Sequence, residues 1–135
     1  MASTLRIAFI GALAAAGAAG LAGAQELRQF SGIAAYYDKN YNGKTASGAL
    51  YDPRKFTAAH RTLPFGTRLT VRDPRSGRSV EVVVNDRGPF TKGRVLDLSL
   101  AAARELRMLE RGLLKVTADI APGAVTRADD RAPAR

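Results

Sequence analysis

The sequence predicts a small, mainly β protein whose strands close into a barrel, with one short α-helix. Three observations predict it. Thr67–Arg72 and Arg78–Val84 alternate apolar and polar residues on either side of the turn cluster Asp73-Pro74-Arg75-Ser76-Gly77, the pattern of a β-hairpin. Leu113–Ile120 alternates in the same way, with Leu114, Val116, Ala118 and Ile120 on one face. The rest is dense in glycine, proline and other turn residues, and a barrel is the closure that leaves such short strands without exposed edges.

Taken in order, the chain opens like a secretory signal. Arg6 is followed by the uncharged apolar stretch Ile7–Leu21 and by Ala22-Gly23-Ala24, an Ala-x-Ala cleavage site before Gln25. Residues 1–24 are therefore expected to be removed on export, leaving one domain over residues 25–120. Ser31–Asp38 reads as the first strand. Asp38–Gly48 reads as a polar loop with a brief strand near Lys44–Ala46, and Tyr51-Asp52-Pro53-Arg54 as a turn. Phe56–His60 is a short apolar run, and Leu63-Pro64-Phe65-Gly66 a second turn. In the hairpin beyond it, Val80, Val82 and Val84 share one face; Val83 makes the end of that strand apolar on both sides. Between Asp86 and Asp97 the chain reads as a loop that includes Gly88, Pro89 and Gly93. Ser99 is a natural helix N-cap; Ala102, Ala103, Leu106 and Leu109 supply an apolar stripe, and Gly112 the C′ residue. Residues 121–135 are rich in Pro, Ala, Arg and Asp without periodicity and are expected to be a disordered tail.

The formal net charge of +9, from 21 basic and 12 acidic residues, favours acidic envelope polymers or anionic surfaces as partners. Nucleic acid is not expected, because no helix-turn-helix or aromatic RNA-binding motif is present. Zero cysteines rule out disulfides and a lipid-bearing cysteine, so no stable membrane anchor is expected after signal cleavage. With a single histidine as well, a zinc site is not expected; neither metal nor cofactor is called for.

The chemistry centres on Asn85-Asp86-Arg87-Gly88-Pro89-Phe90 and on Asp97-Leu98-Ser99. Asp86 stands just past a buried strand, where loops on a rigid scaffold carry catalytic groups. Asp97 is a second carboxylate that a glycine-containing loop can fold back to the same cleft. The alternatives are an Asx turn for Asp86 and a hydrogen bond to the helix start for Asp97. Arg87 suits an anionic substrate or a neighbouring carboxylate. Asn85 suits sugar hydroxyls or closure of its own turn. His60 is a candidate active-site group or a structural histidine. Tyr36 and Tyr37 border a polar loop; they suit half-buried packing or stacking on sugar rings.

These motifs, together with Tyr36-Tyr37, Gly43-Lys44-Thr45-Ala46-Ser47-Gly48 and Thr57-Ala58-Ala59-His60-Arg61-Thr62-Leu63-Pro64-Phe65-Gly66-Thr67, resemble the rare lipoprotein A (RlpA) family in order and spacing over Ser31–Ile120. The resemblance implies a six-stranded double-psi β-barrel. It also implies a periplasmic lytic transglycosylase acting on peptidoglycan glycan strands stripped of peptides, with divisome components as partners. Carried over, Asp86 and His60 fall on active-cleft positions of the family, and Asp97 on the aspartate before leucine-serine. Asn85, Arg87, Tyr36 and Tyr37 would then line the groove.

One departure matters. Ala49 stands where the family commonly has a glutamate that active members use in the cleft, and alanine can move no proton. A hydrolase normally needs two carboxyl groups. A lytic transglycosylase uses the substrate's own C6 hydroxyl as nucleophile, so a single carboxyl group can serve as acid and then base. Two functions are therefore expected from the sequence: a transglycosylase that relies on Asp86, or a non-catalytic peptidoglycan-binding, expansin-like wall-loosening module.

Overall fold

The computed structural model describes residues 28–122. The expected signal segment and nearly all of the expected tail lie outside these residues. Within them the chain forms β1 (Gln29–Tyr36), β2 (Thr57–Ala59), β3 (Arg68–Arg72), β4 (Ser79–Asp86), β5 (Arg94–Leu98), α1 (Leu100–Glu105) and β6 (Leu114–Ile120). The six strands close into a barrel in the order β1-β5-β2-β4-β3-β6. Two neighbouring pairs, β1 with β5 and β2 with β4, are parallel; the other four are antiparallel.

The hairpin forms where the alternation places it. Leu69 faces Val82 and Val71 faces Val80 across β3 and β4, and all four side chains are buried. Asp73 closes the turn by accepting hydrogen bonds from the Arg75 amide at 3.0 Å and the Ser76 hydroxyl at 2.8 Å. Leu96, Leu98, Val84, Val116 and Ala118 complete the barrel interior with the small Ala34 and Ala58. Ala102, Ala103, Leu106 and Met108 from α1 and the turn after it join the same core. Burying these residues supplies roughly 1.5–3 kcal/mol for each large apolar side chain, on which a domain without disulfides must rely.

Four local expectations change. The first strand begins earlier, at Gln29, because residues 29–34 pair with β6 in full register. The brief strand near Lys44 reduces to one bridge, between Lys44 and Leu50. Arg94–Leu98 is a strand rather than part of a loop. α1 also ends sooner than the apolar stripe suggests. Ser99 caps it, its Oγ accepting from the Ala102 amide at 3.3 Å. The helix stops at Arg107, which takes the left-handed conformation (φ 55°). Arg107 N–H then donates to the Arg104 carbonyl and Met108 N–H to the Ala103 carbonyl, the paired bonds of a Schellman closure. Gly112, the expected C′ residue, belongs to the next turn.

Two register shifts shape the barrel. Against β1, strand β5 skips Val95: Ile33 pairs with Arg94 and Ala34 with Leu96. Against β2, strand β4 skips Asn85: Ala58 pairs with Val84 and Ala59 with Asp86. Each is a β-bulge, which leaves one residue unpaired and re-aims the side chains beyond it. Val95 lies over Gly32, where an added Cβ would come within 2.5 Å of Val95 Cγ1. We expect Gly32→Ala to destabilise the fold by about 1–3 kcal/mol through this overlap. Thermal denaturation should show Gly32→Ala/Val95→Ala recovering most of the loss; no recovery would mean the glycine is needed for another reason.

Candidate active site

The bulge at Asn85 decides where the first acid points. In β4, Val82 and Val84 face the core, and unbroken alternation would send residue 86 inward as well. With Asn85 bulged out of register, Asp86 instead pairs with Ala59. Ala59 pairs on its other side with Asp97 of β5, and Asp97 in turn with Ala35 of β1. Asp86, Ala59, Asp97 and Ala35 thus form one row across four strands, on the face away from the core, where the intervening side chains are only methyl groups. The acids lie two strand spacings apart, roughly 9–10 Å between backbones. Asp86 is the last residue of β4 rather than the first of the loop beyond it.

Both oxygens of the Asp86 carboxyl are held. Oδ1 accepts from the Ala46 amide at 2.7 Å and from the Arg87 amide at 2.8 Å. Oδ2 accepts from the Tyr37 hydroxyl. Tyr37 stacks on Tyr51 with ring centroids 4.3 Å apart, and Tyr41 packs obliquely against both. The Tyr51 hydroxyl accepts from the Leu100 amide at 3.0 Å, tying this aromatic group to the start of α1. Burial, then the hydrogen bond to Asp86, pushes the Tyr37 phenol above its ordinary range, so it remains a donor. Ala46 belongs to a turn docked beside the acid. Thr45 N–H donates to the Ala49 carbonyl at 2.8 Å, and Ser47 N–H to the Asn85 carbonyl at 3.2 Å.

Asp97 is half-buried. Burial raises its pKa and the charge of Asp86 adds to the rise, while Arg94 opposes both. The helix start is capped by Ser99, so Asp97 does not have the capping role open to it in the sequence.

The other candidates separate from this pair. His60 comes directly after Ala59, and its amide donates to the Asp86 carbonyl at 3.1 Å. Its ring faces elsewhere: Nδ1 accepts from the Thr62 and Leu63 amides, and Phe30 meets it edge-on at 5.1 Å. Burial, with the nearby Arg61 and Arg87 charges, lowers its pKa and favours the neutral ring. Arg87 is not presented to a substrate. Its Nη1 donates to the carbonyls of His60 and Leu63 at 3.1 and 2.8 Å, and its guanidinium lies 4.1 Å from the centroid of Phe65. Tyr36 also turns away, because neighbours on a strand face opposite sides; its hydroxyl donates to the Leu109 carbonyl at 2.6 Å. Asn85 anchors the 45–49 turn through its carbonyl, while its side-chain oxygen is buried with no partner among the described residues. The structure therefore gathers Asp86, Asp97 and Tyr37, and assigns His60, Arg87 and Tyr36 to packing and backbone support. Sequence reasoning missed Tyr51 and the Ala46 amide. A loop tyrosine carries no periodic signal, and a backbone donor carries no residue-type signal at all.

A closed six-stranded barrel with two parallel pairs, bearing a carboxylate pair on its outer face, defines a double-psi β-barrel protein. The family model described as lytic transglycolase matches residues 29–118, and the chain belongs to that family. It is 51% identical over 94 residues to the probable endolytic peptidoglycan transglycosylase RlpA of Nostoc sp., covering 67% of this chain and 25% of that protein. It is 49% identical over 90 residues to the endolytic peptidoglycan transglycosylase RlpA of Pasteurella multocida, covering 66% and 31%. The chain thus spans about a quarter to a third of the length of these relatives. Among solved structures it is similar to a Streptomyces papain inhibitor, with TM-score 0.57, 26% identity and coverage of 68% of this chain and 93% of that one. It shares its fold with an expansin of Clavibacter michiganensis, with TM-score 0.54, 22% identity and coverage of 69% and 50%.

The shift at Asp97 gives a prediction about stability. A carboxyl group whose folded pKa lies above its unfolded value contributes stability below the unfolded pKa and loses it as pH rises through the folded pKa. Asp97→Asn should therefore gain thermal stability relative to the parent on going from pH 3 to pH 7. Parallel midpoint–pH curves for the two proteins would contradict the assignment.

Proposed function

We propose that this protein is an endolytic lytic transglycosylase that cleaves peptide-poor glycan strands of peptidoglycan and leaves anhydro-muramyl ends. The observation that carries this proposal is the bulge at Asn85. It turns Asp86 out of the core and into register with Asp97, in a chain that is 51% and 49% identical over 94 and 90 residues to proteins named for this activity.

In the reaction, the C6 hydroxyl oxygen of the muramyl sugar attacks its own anomeric carbon as the bond to the glycosidic oxygen breaks. Asp86 gives its proton to the departing oxygen. The carboxylate so formed then takes the proton of the C6 hydroxyl, so no water is consumed and the enzyme returns to its starting state. Tyr37 and the Ala46 amide fix the carboxyl group during both transfers. Asp97 stands in the same row across Ala59, where it can hold the sugar, and the neutral His60 holds the turn beside Asp86. The protein would act in the periplasm after loss of residues 1–24, in cell-wall remodelling at division, with divisome components as partners. Cell fractionation should recover a periplasmic form beginning near Gln25; an unprocessed cytoplasmic form would contradict the export step.

Mass spectrometry of the soluble products from denuded glycan strands tests the chemistry. We expect anhydro-muramyl ends from the parent and a loss of about 10²–10⁴-fold in Asp86→Asn, the usual worth of an acid–base group. Equal activity in the two proteins would exclude Asp86 from proton transfer.

Ala49 supports a second function, a non-catalytic glycan-binding or wall-loosening module. It is exposed on the turn that holds Asp86, with no carboxyl group to offer. If the parent sediments with insoluble peptidoglycan without releasing products, and Ala49→Glu releases them, the natural protein is a binder.

A further inference from the structure

The start of β4 and the end of α1 form a second cleft, of about 480 Å³, lined by Arg78, Ser79, Arg104, Glu105 and Arg107. It is far from the acids. Ser79 opens β4 and Asp86 closes it, and seven strand steps separate them by roughly 23 Å. We propose that this cleft binds a phosphate group.

The cleft's lining carries three arginines and one glutamate, a net positive composition, and Arg104 is shared with a neighbouring pocket that includes Asp38, Lys39 and Glu110. None of the three makes an ion pair or a side-chain hydrogen bond among the described residues, whose single salt bridge joins Arg54 to Asp52. They are not needed to cap the helix. The carbonyls of Ala102, Ala103 and Arg104 already accept from the amides of Leu106, Met108 and Arg107. Arg107 also holds the left-handed position that closes α1, where glycine costs least. An arginine there keeps a cationic residue in the cleft lining at a position where glycine would strain the backbone less. One guanidinium fork would satisfy a carboxylate. Three around one small cleft match a tetrahedral oxyanion with acceptors on several sides.

The phosphate can be free or the headgroup of an anionic lipid, and two probes distinguish these sources. Inorganic phosphate is titrated into the full chain by calorimetry. Co-sedimentation then compares mixed phosphatidylcholine–phosphatidylglycerol vesicles with vesicles of phosphatidylcholine alone. Saturable binding of phosphate identifies a free ligand, and binding only to the mixed vesicles identifies a headgroup. In either case Arg107→Gly should weaken binding about fivefold, the usual worth of one cation beside an anionic surface, without lowering the thermal midpoint. Arg104→Ala should weaken it similarly. Lys115→Ala, which removes the same charge from the exposed face of β6, should leave binding unchanged. Absence of binding to both probes would overturn the proposal. So would an equal loss in Lys115→Ala, which would reduce the effect to net charge.

Discussion

Strand β2 is three residues long, yet the two acid-bearing strands are joined through it. It hydrogen-bonds β4 in parallel on one side and β5 in antiparallel on the other. Ala58 faces the core between Val84 and Leu98, and Ala59 faces outward between Asp86 and Asp97. The separation of the two acids' backbones is therefore fixed by ladder hydrogen bonds. Alanine suits both positions. A larger residue at 58 would overfill a closed interior, and one at 59 would stand between the carboxyl groups. Ser99 secures the same strand, since its hydroxyl accepts from the Thr57 amide as well as capping α1.

Much of the barrel can be read from the sequence where its signal is short-range. The β3–β4 hairpin and β6 alternate without interruption, and their apolar faces are those that are buried. The elements that escape such a reading share a physical cause. In β5 the adjacent apolar Val95 and Leu96 break the two-residue period, because Val95 is bulged out of register, and the strand reads like a loop. The bulge at Asn85 shifts β4 by one residue and leaves no trace in composition. Even so, it decides that Asp86 faces outward. The helix end is misplaced in the sequence because glycine is the usual left-handed residue, and here Arg107 takes that conformation while Gly112 serves a later turn.

The candidate site is legible as chemistry and less so as geometry. Asp86, Asp97 and Tyr37 stand out in the sequence and come together in the fold. Arg87 and His60 stand out for the same reason, an ionisable group in a motif, but their polar atoms are spent on backbone groups. That use is itself structural support for the acid. Arg87 ties the segment after β2 to the residue next to Asp86, and the His60 amide is bonded to the Asp86 carbonyl. Residue type announces that a side chain can ionise or hydrogen-bond. It does not say whether the partner is a ligand or a neighbouring carbonyl, and only the folded register answers that.

The chain contains four tyrosines and no tryptophan. Three of the four, Tyr37, Tyr41 and Tyr51, lie in one aromatic cluster, and one of these donates its hydroxyl proton toward Asp86. The near-ultraviolet absorption of this protein therefore originates largely at a single place. That gives the acid site an optical probe that needs no label. A change in the surroundings of Asp86 should therefore register in that absorption.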